Sequence, residues 1–259
     1  MSSKATGTDI HDGFEGNIRL TRPKIRRDIR TYLKLLDSKV SEERIHSFLA
    51  SHSYFFNGLI RLNGVSPIYS KIKLGSDYVV DFVWFDAGSL GIEWSLAEIE
   101  PPRSSMFNKK GDPSAVLTHA IRQIRDWQTW VDDNGAYARQ LMPRIKYPLG
   151  QVFIGRRSEL SSAKAQDKLL RLAYEHRMFL RIHTLDWFAG AAEGIRHFVG
   201  SHGRTWPLPM KAYNHKKLST GLPKPALEVF ESPFGRSESK ELLRDRIGTR
   251  NVSYTDSLG

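Results

Sequence analysis

SPIYSKIKLGSDYVVDFVWFDAGSLGIEWSLAEIEPP, residues 66–102, carries most of the architecture. SPIYSKIKLG and SDYVVDFVWFD read as two strands joined by Leu74-Gly75-Ser76-Asp77, a turn-forming run between β-branched and aromatic residues. GIEWSLAEIE, residues 91–100, is a third strand, stopped at Pro101-Pro102 because proline cannot donate to a sheet ladder. On the N-terminal side, Ser41 is placed to cap a helix. Glu42 and Glu43 fall in its acid-favouring first turn, and Ile45, Phe48 and Leu49 follow at helical spacing. Residues 19–34, RLTRPKIRRDIRTYLK, form a basic arm or the start of a helix. After the loop PPRSSMFNKKG, Asp112-Pro113 has the chemistry of a helix start, and apolar residues through 131 give that helix one broad buried face. LGQVFIG, AQDKLLRLAYEHR, MFLRIHTL and DWFAGAAEGIRHFVG then alternate strand, helix, strand, helix. The order α-β-β-β-α-β-α-β-α predicts an α/β fold with a mixed β-sheet flanked by helices. Residues 1–40 are expected to be a tail and basic arm, 41–200 the folded domain, and 201–259 an appendage.

The 259 residues contain no cysteine, which excludes disulfides, thiolate catalysis and Cys-ligated zinc or iron–sulfur centres. No apolar run approaches the ~20 residues of a membrane span, and MSSKATGTDIHDG has no apolar h-region, so a cytoplasmic protein with no membrane association is expected. GxGxxG, GxxxxGK[ST], GxSxG and HExxH are absent, so no organic cofactor is expected. Lys and Arg outnumber Asp and Glu 39 to 28, a net charge of +11. That excess points to a polyanionic partner, with nucleic acid the commonest.

Carboxylates within apolar strands mark the chemistry, because burying them is costly without a cation or partner. Asp81 interrupts Val79-Val80-Asp81-Phe82-Val83, and Glu98 and Glu100 close the third strand on one face. If the two strands are neighbours, Asp81 converges with Glu98. Two or three carboxylates on one spot suit Mg²⁺ or Mn²⁺; an isolated strand acid reads first as the partner of an arginine or the cap of a turn, and it is the paired pattern before Pro-Pro that brings the two readings level. His119, Gln123 and Trp127 form one stripe of the following helix, and Lys109 and Lys110 lie in the loop before it.

KIKLGSDYVVDFVWF, LAEIEPP and MFNKKGDPSAVLTHAIRQIRDW together resemble the Shedu (SduA) C-terminal domain, a branch of the PD-(D/E)XK nuclease superfamily acting in bacterial anti-phage defence. Asp81, Glu98, Pro101, Phe107, Gly111, His119, Ala120, Gln123, Asp126 and Trp127 fall on its pattern, and Glu42 matches an acid of the preceding helix. The resemblance covers about residues 40–190. It implies a restriction-endonuclease-like core and a Mg²⁺- or Mn²⁺-dependent DNA endonuclease or nickase. Asp81 and Glu98, with Glu100, would ligate the metal, and Gln123 would order the site. The chain departs from the superfamily in one place: Glu100 stands where a lysine is usual. Either Glu100 with a second ion replaces that lysine, or Lys109 or Lys110 reaches in, or the site is inactive. Arg26, Arg27, Arg30, Arg156 and Arg157 are the expected phosphate contacts, DNA the expected partner and a homo-oligomer the expected assembly. A catalytically silent nucleic-acid-binding module and a structural subunit of a defence complex are the rival readings.

Overall fold

The computed structural model describes residues 17–38, 40–57, 66–88 and 91–222. β2 (Tyr69–Leu74), β3 (Tyr78–Gly88), β4 (Gly91–Ile99), β5 (Leu149–Phe153) and β6 (Leu180–His183) form one sheet in that order. β2, β3 and β4 are antiparallel, whereas β4–β5 and β5–β6 are parallel. The parallel joins need crossovers. α3 (Ala115–Asp133) with α4 (Gly135–Leu141) makes the first, and α5 (Ala163–His176) the second. The fold is therefore α/β with a five-stranded mixed sheet between helices, as the order of predicted elements requires.

Two apolar layers hold the helices to the sheet. On one face, Val83, Phe85, Trp94, Leu96 and Val152 pack with Leu117, Ile121, Ile124 and Trp127 of α3. On the other, Phe82, Trp84, Ala97, Ile99 and Phe153 meet α1 (Arg22–Asp37), α2 (Glu42–Ser51) and α6 (Asp186–Phe198) through Ile25, Tyr32, Leu36, Ile45, Leu49, Phe188 and Ala192. Fully burying each such side chain stabilises the fold by about 1.5–3 kcal/mol.

Residues 19–34 belong to this body. β1 (Asn17–Leu20) pairs with β7 (Arg204–Pro209), and α1 buries Ile25, Tyr32 and Leu36 while presenting its arginines outward. Thr21 caps α1, and Pro23 sits in its first turn, where a missing N–H costs nothing. α7 (His215–Ser219) also joins the core through Leu218, so the described part of the 201–259 segment is packed on the domain. α3 begins two residues later than Asp112-Pro113 suggests: Ser114 Oγ accepts from Leu117 N–H at 3.1 Å, and Pro113 bridges back to Phe107. Among the described residues no helix is long and apolar enough to cross a membrane.

Candidate functional site

The β2–β3 hairpin contains a matched irregularity. Tyr69 and Ile72 both face α3, as do Val83 and Val80 across from them, although residues three apart should face opposite ways. The frame resets at the intervening pair, Lys71 and Asp81. Lys71 has φ 51°, a left-handed conformation uncommon for a non-glycine residue. Because both strands reset opposite one another, the register on either side is unchanged.

This reset aims two opposite charges at each other. Lys71 Nζ donates to Asp81 Oδ1 at 2.6 Å. The β3–β4 ladder ends at Phe82–Ala97, and Asp81 Oδ2 accepts the next amide, Ile99 N–H, at 2.9 Å. Asp81 is therefore a buried carboxylate fixed between strands, satisfied by one backbone donor and one cation. The Lys71 side chain keeps 40% exposure, so its ammonium borders solvent.

Four further acids gather round this pair. Glu42 begins α2, and Glu43 lies 4.0 Å from the Lys71 ammonium. Glu98 and Glu100 follow at the end of β4, where Glu100 is buried just beyond the last paired residue and its N–H bonds to Phe153 O. Burial pushes the Glu98 carboxyl up to about 9, and the charges of Asp81, Glu100 and Glu42 add to burial while Lys71 opposes them. Burial, then Glu42 and Asp81, push Glu100 up to about 7. Burial and Asp81 likewise raise Glu42. Burial alone would lower Lys71, but its bond to Asp81 and the surrounding acids outweigh that and raise it. Neither the Glu98 nor the Glu100 carboxyl has a hydrogen-bonding or ion-pair partner among the described residues. The site is thus a crowd of carboxylates short of positive charge, with Lys71 opposing the rise at Glu42 and Glu98 but not at Glu100.

The structure brings together Asp81, Glu98, Glu100 and Glu42 of the sequence-derived set. Among the described residues no group of three His, Asp or Glu side chains is gathered tightly enough to hold a metal ion, and the ammonium of Lys71 holds Asp81 instead. Gln123 lies half-buried on α3. Lys109 and Lys110 line a different cavity, against the start of α5. Arg26, Arg27 and Arg30 are exposed on α1, and Arg157 is exposed after β5. Arg156 is committed within the fold: its guanidinium binds both carboxylate oxygens of Asp186 at 3.1 Å and Asp37 at 2.7 Å, clasping the end of α1 to the start of α6.

Two residues that contact Asp81 escaped the sequence reading. Lys71 could have been found by counting back from the turn: Leu74 opposite Tyr78 puts residue 71 opposite 81. His46, one turn after Glu42 on α2, stacks on Phe82 at 4.5 Å with Nε2 3.3 Å from Asp81 O, and burial lowers its basicity. No sequence signal singled it out.

The model of the family described as Shedu protein SduA, C-terminal, matches residues 39–186, more than half of the chain. The match contains α2, all five strands of the main sheet and every acid of the site. No curated protein matches.

Proposed function

The chain belongs to the Shedu SduA C-terminal family, and from that premise we propose that it is a metal-dependent DNA endonuclease or nickase of a bacterial anti-phage defence system, with a PD-(D/E)XK-type core. The observation that carries the reading is the placement of Asp81. It is fixed where the β3–β4 ladder ends, and beyond the effect of burial its charge raises the proton affinity of Glu98, Glu100 and Glu42 around it. Hard oxygen donors of this kind suit Mg²⁺ or Mn²⁺. Asp81 and Glu98 would hold such an ion, with Glu100 beside them, once Lys71 leaves Asp81. When bound, the ion supplies Lewis-acid polarisation of the phosphodiester.

The chain's own residues account for the remaining steps. Ile99 N–H orients the Asp81 carboxylate. Glu100, with its proton affinity near neutrality, takes a proton from the attacking water as the new P–O bond forms and the bond from phosphorus to the leaving sugar oxygen breaks, that oxygen taking its proton from solvent. Lys71, freed from Asp81, offsets charge gathering on the phosphate, the role left open by an acid at position 100. Exposed Arg26, Arg27, Arg30 and Arg157 contribute sequence-independent phosphate contacts.

One observation favours a catalytically silent DNA-binding module instead. Lys71 neutralises Asp81, and the acids are not gathered to liganding distance. Incubating the protein with supercoiled plasmid and Mn²⁺ separates the two. Nicking that needs Mn²⁺ and disappears in Asp81→Asn supports the nuclease. Retarded but uncut plasmid in every condition replaces it with the silent module.

A further inference from the structure

We propose a second polyanion site, separate from the acids: the cavity between the 107–111 loop and the start of α5 binds the phosphodiester backbone of DNA. The cavity has a volume of about 430 Å³, and Lys109, Lys110, Lys164 and Lys168 wall it from two elements. Its one acid, Glu159, already accepts Met106 N–H at 3.0 Å and Arg156 N–H at 2.9 Å, which fastens the loop to the turn before α5. Lys109, Lys110 and Lys164 have no acidic partner among the described residues. Like charges gathered without a counter-charge repel one another, and a chain of phosphates relieves that repulsion.

The cavity is also preorganised. Asn108 Oδ1 accepts from Lys110 N–H at 2.9 Å and Asp112 N–H at 3.0 Å, so the loop carrying two lysines is a closed turn. Lys168 Nζ donates to Gly111 O at 2.9 Å. Gly111 has φ +86°, and a Cβ there would stand 1.5 Å from the Lys168 ammonium. Glycine at 111 therefore leaves room for Lys168 to reach across the cavity floor. Lys164 and Lys168 are one helical turn apart, so both project from the same side of α5. Lysines act on phosphate as point charges without base readout, so this site contributes affinity, not sequence preference.

The inference shares DNA as partner with the reading above but not cleavage, so it is tested in EDTA. A fluorescent 20-base-pair duplex is titrated over a range of salt with the full chain, with a triple variant (Lys109→Gln, Lys110→Gln, Lys164→Gln), and with a control of equal charge loss (Arg139→Gln, Lys146→Gln, Lys216→Gln) that leaves the cavity untouched. Equal melting temperatures establish that each is folded. The triple variant should bind about tenfold or more weakly, with its salt slope flattened by about two to three phosphate contacts, while the control changes little. Parental affinity and slope in the triple variant overturn the proposal, as does an equal loss in the control or a parent that does not bind. Displacement of the duplex by micromolar pyrophosphate would make the cavity a small-anion site and also overturn it. None of these outcomes depends on whether Mn²⁺ supports nicking.

Discussion

Replacing Glu98 by Gln should stabilise the metal-free protein while ending its activity. In the folded chain the Glu98 carboxyl holds its proton up to about pH 9, against an ordinary value of 4.5 in the unfolded chain. Between those values the unfolded state releases the proton first, so rising pH favours unfolding. The stabilising effect of a raised carboxyl is complete below pH 4.5 and is lost as pH rises toward 9. Each pH unit in that window weakens the fold by about 1.4 kcal/mol, so by pH 7 the burden approaches about 3 kcal/mol, an upper figure because Glu98 is only partly buried. Glutamine keeps the shape without the titration. Urea denaturation of both proteins in EDTA should show Glu98→Gln ahead by about 1–3 kcal/mol at pH 7, roughly 2–10 °C in melting temperature for a chain of this size. The two should converge near pH 5. A Gln variant less stable at pH 7, or an advantage that does not change with pH, would refute the electrostatic account of the site.

Other outcomes follow from the same geometry. Lys71→Met should slow Mn²⁺-supported nicking by about 10²–10³, as loss of a charge-stabilising group does elsewhere, whereas Lys71→Arg should restore part of the rate. Lys71→Val should lower stability by more than about 1 kcal/mol in thermal melts, because a β-branched residue resists φ 51°. Arg156→Ala should cost about 1–3 kcal/mol in urea denaturation, since it leaves Asp186 without its two-point partner. Gly111→Ala should cost about 1 kcal/mol or more by the same measurement, because the positive φ and the Lys168 contact both oppose a side chain.

The main sheet and its crossover helices were legible because their apolar residues repeat at strand or helix spacing over long runs. β2 through β6, α3, α5 and α6 all lie where those patterns fall. The β1–β7 ribbon was not, since it joins residues 17–20 to 204–209 and such pairing leaves no local periodicity. Ser114 displaced Asp112 as the cap of α3 because Pro113 is held outside the helix by its bridge to Phe107, and the extended residue before the first turn is Ser114. In the site, acids in apolar strands announced themselves. Lys71 did not, because a lysine at strand spacing reads as a solvent-facing residue until a left-handed residue turns it inward. Arg156 shows the limit of charge counting: composition gives the sign of a surface, but only the fold reveals which arginines carboxylates already hold.

To receive a divalent ion, Glu98 and Glu100 must give up protons. Calorimetric titration of Mn²⁺ into the protein at pH 7, repeated in buffers of different ionisation enthalpy, counts those protons directly. With the carboxyls near 9 and 7, binding should release about one to two protons per ion. Glu98→Gln should release about one fewer and bind more weakly. Mn²⁺ that fails to bind, or binds without releasing protons, would contradict the metal site.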